Sequence, residues 1–199
     1  MSTYFPVDWP MQIVFPSDRK VSDEEFGQYC DLNKNLRFER TSTGDLVVMP
    51  PTGGQGGNRN IKLSARIENW AEENGTGLAF DSSTQFKFPN GAIRSPDTAW
   101  IFRERWERLS SADQEGVSPI VPDFVAELRS PSDSIRELEA KMNEYMMNGV
   151  RLGILIDPLA KSVALYRQGR PVEKLNNPLT IDLTPELPGL VLKMTGIWK

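Results

Sequence analysis

The sequence predicts a mixed α/β fold, and three observations predict it. A strand-like segment FVAELR (124–129), a helix-like segment SDSIRELEAKMNEYMMNG (132–149) and a second apolar strand RLGILID (151–157) follow one another directly. That order implies a right-handed crossover between parallel strands. Hairpin-like segments at 36–50 and 162–175 add antiparallel strands, so the sheet is mixed. The chain of 199 residues is 39% hydrophobic and 25% charged, with no internal repeat or linker, which fits one core built without staples.

Taken in order, residues 1–20 hold three prolines and little periodicity, and read as an extended arm ahead of a single domain over 21–199. In VSDEEFGQYCDLN (21–33), Ser22 and Glu25 have capping-box spacing, and Phe26, Tyr29 and Cys30 share a helical face. LRFER (36–40) and DLVVMP (45–50) flank TSTG as a hairpin. The glycine-dense PPTGGQGGNRN (50–60) reads as a loop opening a helix at about residue 58 that ends near 74. Leu63, Ile67, Trp70 and Ala71 form its apolar face, and Arg59, Lys62 and Arg66 a basic stripe along its edge. Such a loop can cradle phosphate through free N–H groups, or it can be a plain turn beside a solvated helix edge. It lacks the GxxxxGK[ST] pattern of nucleoside triphosphate sites. Short strands are expected at 77–81, 84–88 and 98–102, a polar stretch at 103–116, and a last strand within 187–194.

Composition excludes several chemistries. The chain has no histidine, which removes Ser-His-Asp and Cys-His catalysis and HExxH zinc sites. Cys30 is the only cysteine, so there is neither an intrachain disulfide nor a cysteine metal cluster. A net charge of −4 gives no global attraction to nucleic acid, and any DNA contact needs a local basic surface. No apolar run has the length of a membrane span and no signal peptide opens the chain; a cytoplasmic protein without a membrane partner is expected.

The unexpected residues are acids inside strands. Two Pro-Asp pairs, at 96–97 and 122–123, stand at the mouths of apolar runs, and Glu127 lies within the second run. A buried carboxylate is costly unless it is paired, hydrogen-bonded or holding a metal. Strand alternation puts Asp97, Ala99 and Ile101 on one face, and Val125, Glu127 and Arg129 on one face. If these strands are neighbours, Asp97 and Glu127 converge and repel each other unless a divalent cation lies between them or one is protonated. Lys141, at the border of the stripe Ile135, Leu138, Met142, Tyr145 and Met146, either pairs with Glu137 in solvent or reaches inward over the sheet.

An aspartate, then Glu-x-Arg on a strand, then a helix with an inward lysine resembles the PD-(D/E)XK nuclease superfamily. More narrowly, NLRFERTSTGDLVVMPPTGGQGGNRN, RSPDTAWI and ELRSPSDSIRELEAKMNEYMMNGVRLGILIDP resemble the Uma-two type of restriction endonuclease family, over roughly residues 21–194. The resemblance implies a restriction-endonuclease-like core, a mixed sheet flanked by helices, that hydrolyses DNA phosphodiester bonds with Mg²⁺ or Mn²⁺. It implies Asp97, Glu127 and the Leu128 carbonyl as metal ligands, and Glu39 as a further acidic site residue. The motif lysine position is Arg129, which stays protonated and cannot act as a base. The resemblance gives the water-orienting role to Lys141, leaving Arg129 to steady charge on the phosphate. Arg59, Lys62 and Arg66 become expected DNA contacts, and fold analogy suggests a homo-oligomer, a dimer for double-strand cleavage. The rival readings are a catalytically inactive nucleic-acid-binding or regulatory module that keeps the fold, and a structural protein whose acids pair as Asp97–Arg94 and Glu127–Arg129.

Overall fold

The computed structural model describes residues 10–198. Strand β1 (Met11–Ile13) leads to helix α1 (Asp23–Leu32), hairpin strands β2 (Arg37–Arg40) and β3 (Leu46–Met49), and the long helix α2 (Gly54–Asn74). Strands β4 (Gly77–Asp81), β5 (Phe86–Lys87), β6 (Ile93–Arg94) and β7 (Thr98–Phe102) follow, then the short helices α3 (Arg103–Trp106) and α4 (Ser111–Glu115). The crossover consists of β8 (Phe124–Leu128), α5 (Ile135–Met147) and β9 (Leu152–Asp157). The chain continues through β10 (Ser162–Arg167), β11 (Glu173–Asn176), β12 (Thr180–Asp182) and β13 (Val191–Lys193).

The central sheet has the order β11-β10-β9-β8-β7-β4. Only β8 and β9 run parallel in it, joined by α5 as the strand–helix–strand pattern requires. Alternation sorts its two faces cleanly. Trp100, Phe124, Ala126 and Ile154 pack with Leu63, Ile67 and Trp70 of α2, while Ala99, Ile101, Val125 and Leu155 pack with Met142 and Tyr145 of α5. A second sheet, β1-β3-β2-β6-β5, holds its own core of Val21, Phe26, Phe38, Leu46, Val48 and Ile93 beside α1. The Ser22–Glu25 capping box that starts α1 is complete.

Three expectations change. The part of the expected arm that is described is not free: Met11–Ile13 pair with β3 as an edge strand, while residues 1–9 lie outside the described region. The glycine-rich segment is itself helical, because α2 begins at Gly54. Glycine disfavours helix interiors, but the first turn needs no intrahelical N–H partner and tolerates it. The strands β6 and β12 were not expected; at two and three residues they carry no readable alternation.

Gly77 marks the tightest approach in the central sheet. A Cβ there would lie 2.3 Å from the Trp100 ring and 2.4 Å from the Ile101 carbonyl oxygen. Trp100 is fully buried between α2 and its sheet neighbours and has no room to retreat. Gly77→Ala is therefore expected to destabilise the protein by about 3 kcal/mol, the upper end of overpacking costs, read as a lower midpoint in urea unfolding.

Candidate active site

The register of β7 and β8 creates the site. Thr98 faces Ala126 in this antiparallel pair, so the next residues outward, Asp97 and Glu127, stand side by side where the two strands end. Asp97 Oδ2 accepts the Leu128 N–H at 2.7 Å, and its Oδ1 accepts Asn60 Nδ2 of α2 at 2.9 Å. Glu127 Oε1 accepts the Tyr145 hydroxyl at 2.7 Å and lies 2.9 Å from Lys141 Nζ. Lys141 Nζ also donates to Glu39 Oε1 at 2.9 Å, which joins β2 of the second sheet to β8 of the first. Glu39 takes a backbone donor from Ser95 at 2.9 Å and pairs with Arg94 at 3.2 Å. Arg94 reaches on to Glu144 of α5 at 2.7 Å.

The result is a run of alternating charge, Glu144–Arg94–Glu39–Lys141–Glu127, with Glu39 and Glu127 buried and the other three half-buried, ending beside Asp97. It lines a cavity of about 830 Å³ that is also walled by Arg59, Asn60 and the first turn of α2. Electrostatics divides the carboxylates. Burial pushes Glu39 up, but Lys141 and Arg94 outweigh it and hold the group below the ordinary range. Burial raises Asp97, and the donors from Asn60 and Leu128 only partly offset it. Burial lifts Glu127 to about 7; Lys141 opposes the shift, while Asp97 and Glu39 add to it. Burial would lower Lys141, yet Glu127 and Glu39 prevail and push it above the usual lysine value. Lys141 is a charged donor here and not a poised base.

The family model described as "Putative restriction endonuclease" (Uma2) matches residues 23–195. The chain belongs to the Uma2 family. Among solved structures, it is similar to a protein from Anabaena variabilis ATCC 29413 described as a "putative nuclease belonging to DUF820". The two are 19% identical, with a TM-score of 0.69 over 81% of this chain and 89% of the other, a likeness in fold. No curated protein matches the chain. The Uma2 chain thus has the restriction-endonuclease-like fold that its motifs imply.

Within this Uma2 site, Glu39, Asp97, Glu127 and Lys141 come together; Arg129 lines the same cavity but is engaged by another partner, while Lys62 and Arg66 lie outside it. Arg129 pairs with Asp157 of β9 at 2.7 Å and bonds the Asp133 carbonyl, so it braces the loop after β8. The basic stripe of α2 is split. Arg59 lines the cavity, whereas Lys62 bonds the Gly196 carbonyl at 3.4 Å and Arg66 bonds those of Lys193 and Thr195. Neither of the pairs expected of a purely structural protein, Asp97–Arg94 or Glu127–Arg129, forms, and Lys141 ignores Glu137. The second Pro-Asp aspartate, Asp123, accepts the Phe102 N–H and pairs with Arg105, a structural strap.

The donor set suits a hard cation. Asp97 and Glu127 supply carboxylate oxygens, Glu127 Oε2 accepts no hydrogen bond among the described residues, and Asn60 Oδ1 is buried without a partner. No group of three or more acidic, cysteine or histidine ligands forms among the described residues, so Glu39 does not join a three-carboxylate cage. One or two carboxylates plus water is the usual complement for Mg²⁺, so the residues fit. Asn60 and Glu144 escaped sequence reasoning, Tyr145 was placed only in the core stripe of α5, and Arg94 was matched to Asp97 where it pairs with Glu39 and Glu144, since these roles arise only where separate elements meet. Arg94, three residues before Asp97, was the most accessible of these from sequence.

Glu127 sets the pH dependence of the unliganded fold. Its folded value near 7 exceeds its ordinary 4.5, so its contribution to stability is full below the unfolded value and is lost as pH rises through 7. No histidine titrates in that window. Between pH 6 and 8, with divalent ions chelated, the loss is about 1.4 kcal/mol, or roughly 3–5 °C in Tm. Glu127→Gln keeps an acceptor for Tyr145 and should flatten that fall in thermal melts.

Proposed function

We propose that this protein is a metal-dependent endonuclease that hydrolyses DNA phosphodiester bonds. One observation carries the reading: a buried carboxylate, Glu127, and a half-buried one, Asp97, stand together at the cavity, each in surroundings that raise its proton affinity. Such a pair is unfavourable in an apo fold and favourable around a cation. Asp97 and Glu127 would hold Mg²⁺ or Mn²⁺, with the Leu128 carbonyl as a further oxygen. The bound ion would supply Lewis-acid polarisation of the phosphate and acidify a water.

The chain's own groups do the rest. An ammonium has three donors, and Lys141 directs its charge to Glu39 and Glu127, leaving a donor for an attacking water or a phosphate oxygen. Glu39, held by Arg94 and Ser95, keeps Lys141 in that position. Arg59 and the N-terminal turn of α2 place positive charge on the cavity wall where a DNA backbone would lie. Arg129, engaged by Asp157, supports the Ser130–Ser134 wall of the cavity and has no part in handling the proton.

Single-turnover cleavage of plasmid DNA with Mg²⁺ or Mn²⁺ tests the reading. Asp97→Asn should abolish nicking, and Lys141→Ala should lower turnover on the order of a hundredfold. Arg129→Lys, which keeps the Asp157 pair, should leave the rate near wild type. An inactive wild type that still binds DNA would favour the catalytically inactive binding module.

DNA binding separates the split stripe. Arg59→Ala should weaken binding and reduce the salt slope by about one, the signature of a lost phosphate contact. Lys62→Ala and Arg66→Ala should leave the slope unchanged and lower thermal stability, because they release the C-terminal carbonyls. Fluorescence anisotropy over a salt series, beside melts of each variant, measures both.

A further inference from the structure

Helix α5 addresses one oxygen of Glu127 from successive turns. Tyr145 and Lys141 both point to Oε1, at 2.7 Å and 2.9 Å, and Oε2 receives no hydrogen bond among the described residues. The two donors differ in kind. The Lys141 ammonium ends a flexible stem and is shared with Glu39, so it follows the carboxylate if the carboxylate turns. Tyr145 is fully buried, with its ring packed on Phe88 at a centroid distance of 5.3 Å, and its hydroxyl bonds nothing else among the described residues. A phenylalanine would fill the same apolar space without bringing a polar group into the core.

We propose that Tyr145 is a positioning residue for the divalent-cation site: its hydroxyl fixes the rotation of the Glu127 carboxylate, holding Oε1 against α5 and presenting Oε2 to the cation beside Asp97. The inference rests on the reading of Glu127 as a cation ligand. A planar carboxylate with one oxygen pinned has its other oxygen placed as well. Without the hydroxyl, the group rotates, and the cation must order it on binding. Partners that orient a ligand in this way commonly govern metal affinity by ten- to a hundredfold.

Isothermal titration of Mn²⁺ at pH 8 into four proteins tests this: wild type, Tyr145→Phe, Met142→Ala and Glu127→Gln. Met142 is buried on the same helix, packs over Gly153 and makes no polar contact with the site, so Met142→Ala loosens the same core without touching Glu127. Thermal melts and circular dichroism confirm that each variant is folded. Tyr145→Phe should bind Mn²⁺ at least tenfold more weakly, Met142→Ala should bind as wild type does despite a lower Tm, and Glu127→Gln should lose binding. Wild-type affinity in Tyr145→Phe, with binding lost in Glu127→Gln, would overturn the role of Tyr145 alone. Equal weakening in Tyr145→Phe and Met142→Ala would also overturn it, since core loosening then explains the effect. A wild type that binds no cation, or an unimpaired Glu127→Gln, would overturn the ligand reading and the inference together.

Discussion

One ammonium group bridges the five-stranded and six-stranded sheets, beside the apolar contact of Phe86 and Phe88 with Ala99 and Ile101. Lys141 reaches from α5 to Glu39 on the small sheet and Glu127 on the central one, at 2.9 Å each. Two buried and three half-buried charged side chains in one run are tolerated only because each has an opposite neighbour, and the order Glu144, Arg94, Glu39, Lys141, Glu127 satisfies that condition. Remove the ammonium and two acids from different sheets face each other across the cavity floor.

Asp97 is the exception in that arrangement. Its hydrogen bonds come from neutral donors, Asn60 and the Leu128 amide, so its charge is not cancelled by a contacting cation of the chain. A run of paired charges ending in an uncompensated carboxylate leaves a local excess of negative charge beside Glu127. This asymmetry distinguishes the site from an ordinary buried salt-bridge network. Asp45 and Asp123 show the ordinary case, with donors that bind loops and strands together.

Much of this was legible in the sequence because the long elements carry clear periodicity. The buried face of α2 and the core stripe of α5 follow directly from the spacing of their apolar residues, and alternation assigned the faces of β7 and β8. The pairing of Asp97 with Glu127 needed one fact that alternation does not contain, namely that β7 and β8 are neighbours. The start of α2 was misread because glycine weakens local helix preference, while the rest of the helix and its packing draw the first turn in. The charges were the least legible. Lys62 and Arg66 look like an exposed stripe until the C-terminal segment folds over them, and nothing local to Arg129 points to Asp157, 28 residues away.

The Arg129–Asp157 pair bears on how related chains are recognised. Lys141 reaches Glu127 from α5, and the residue two places after Glu127, Arg129, pairs with Asp157 instead. A pattern search that demands Glu-x-Lys on one strand passes over this chain. A search that asks for a lysine 14 residues beyond the glutamate (141 minus 127), on the helix that follows, retrieves it and any chain that solves the problem in the same way.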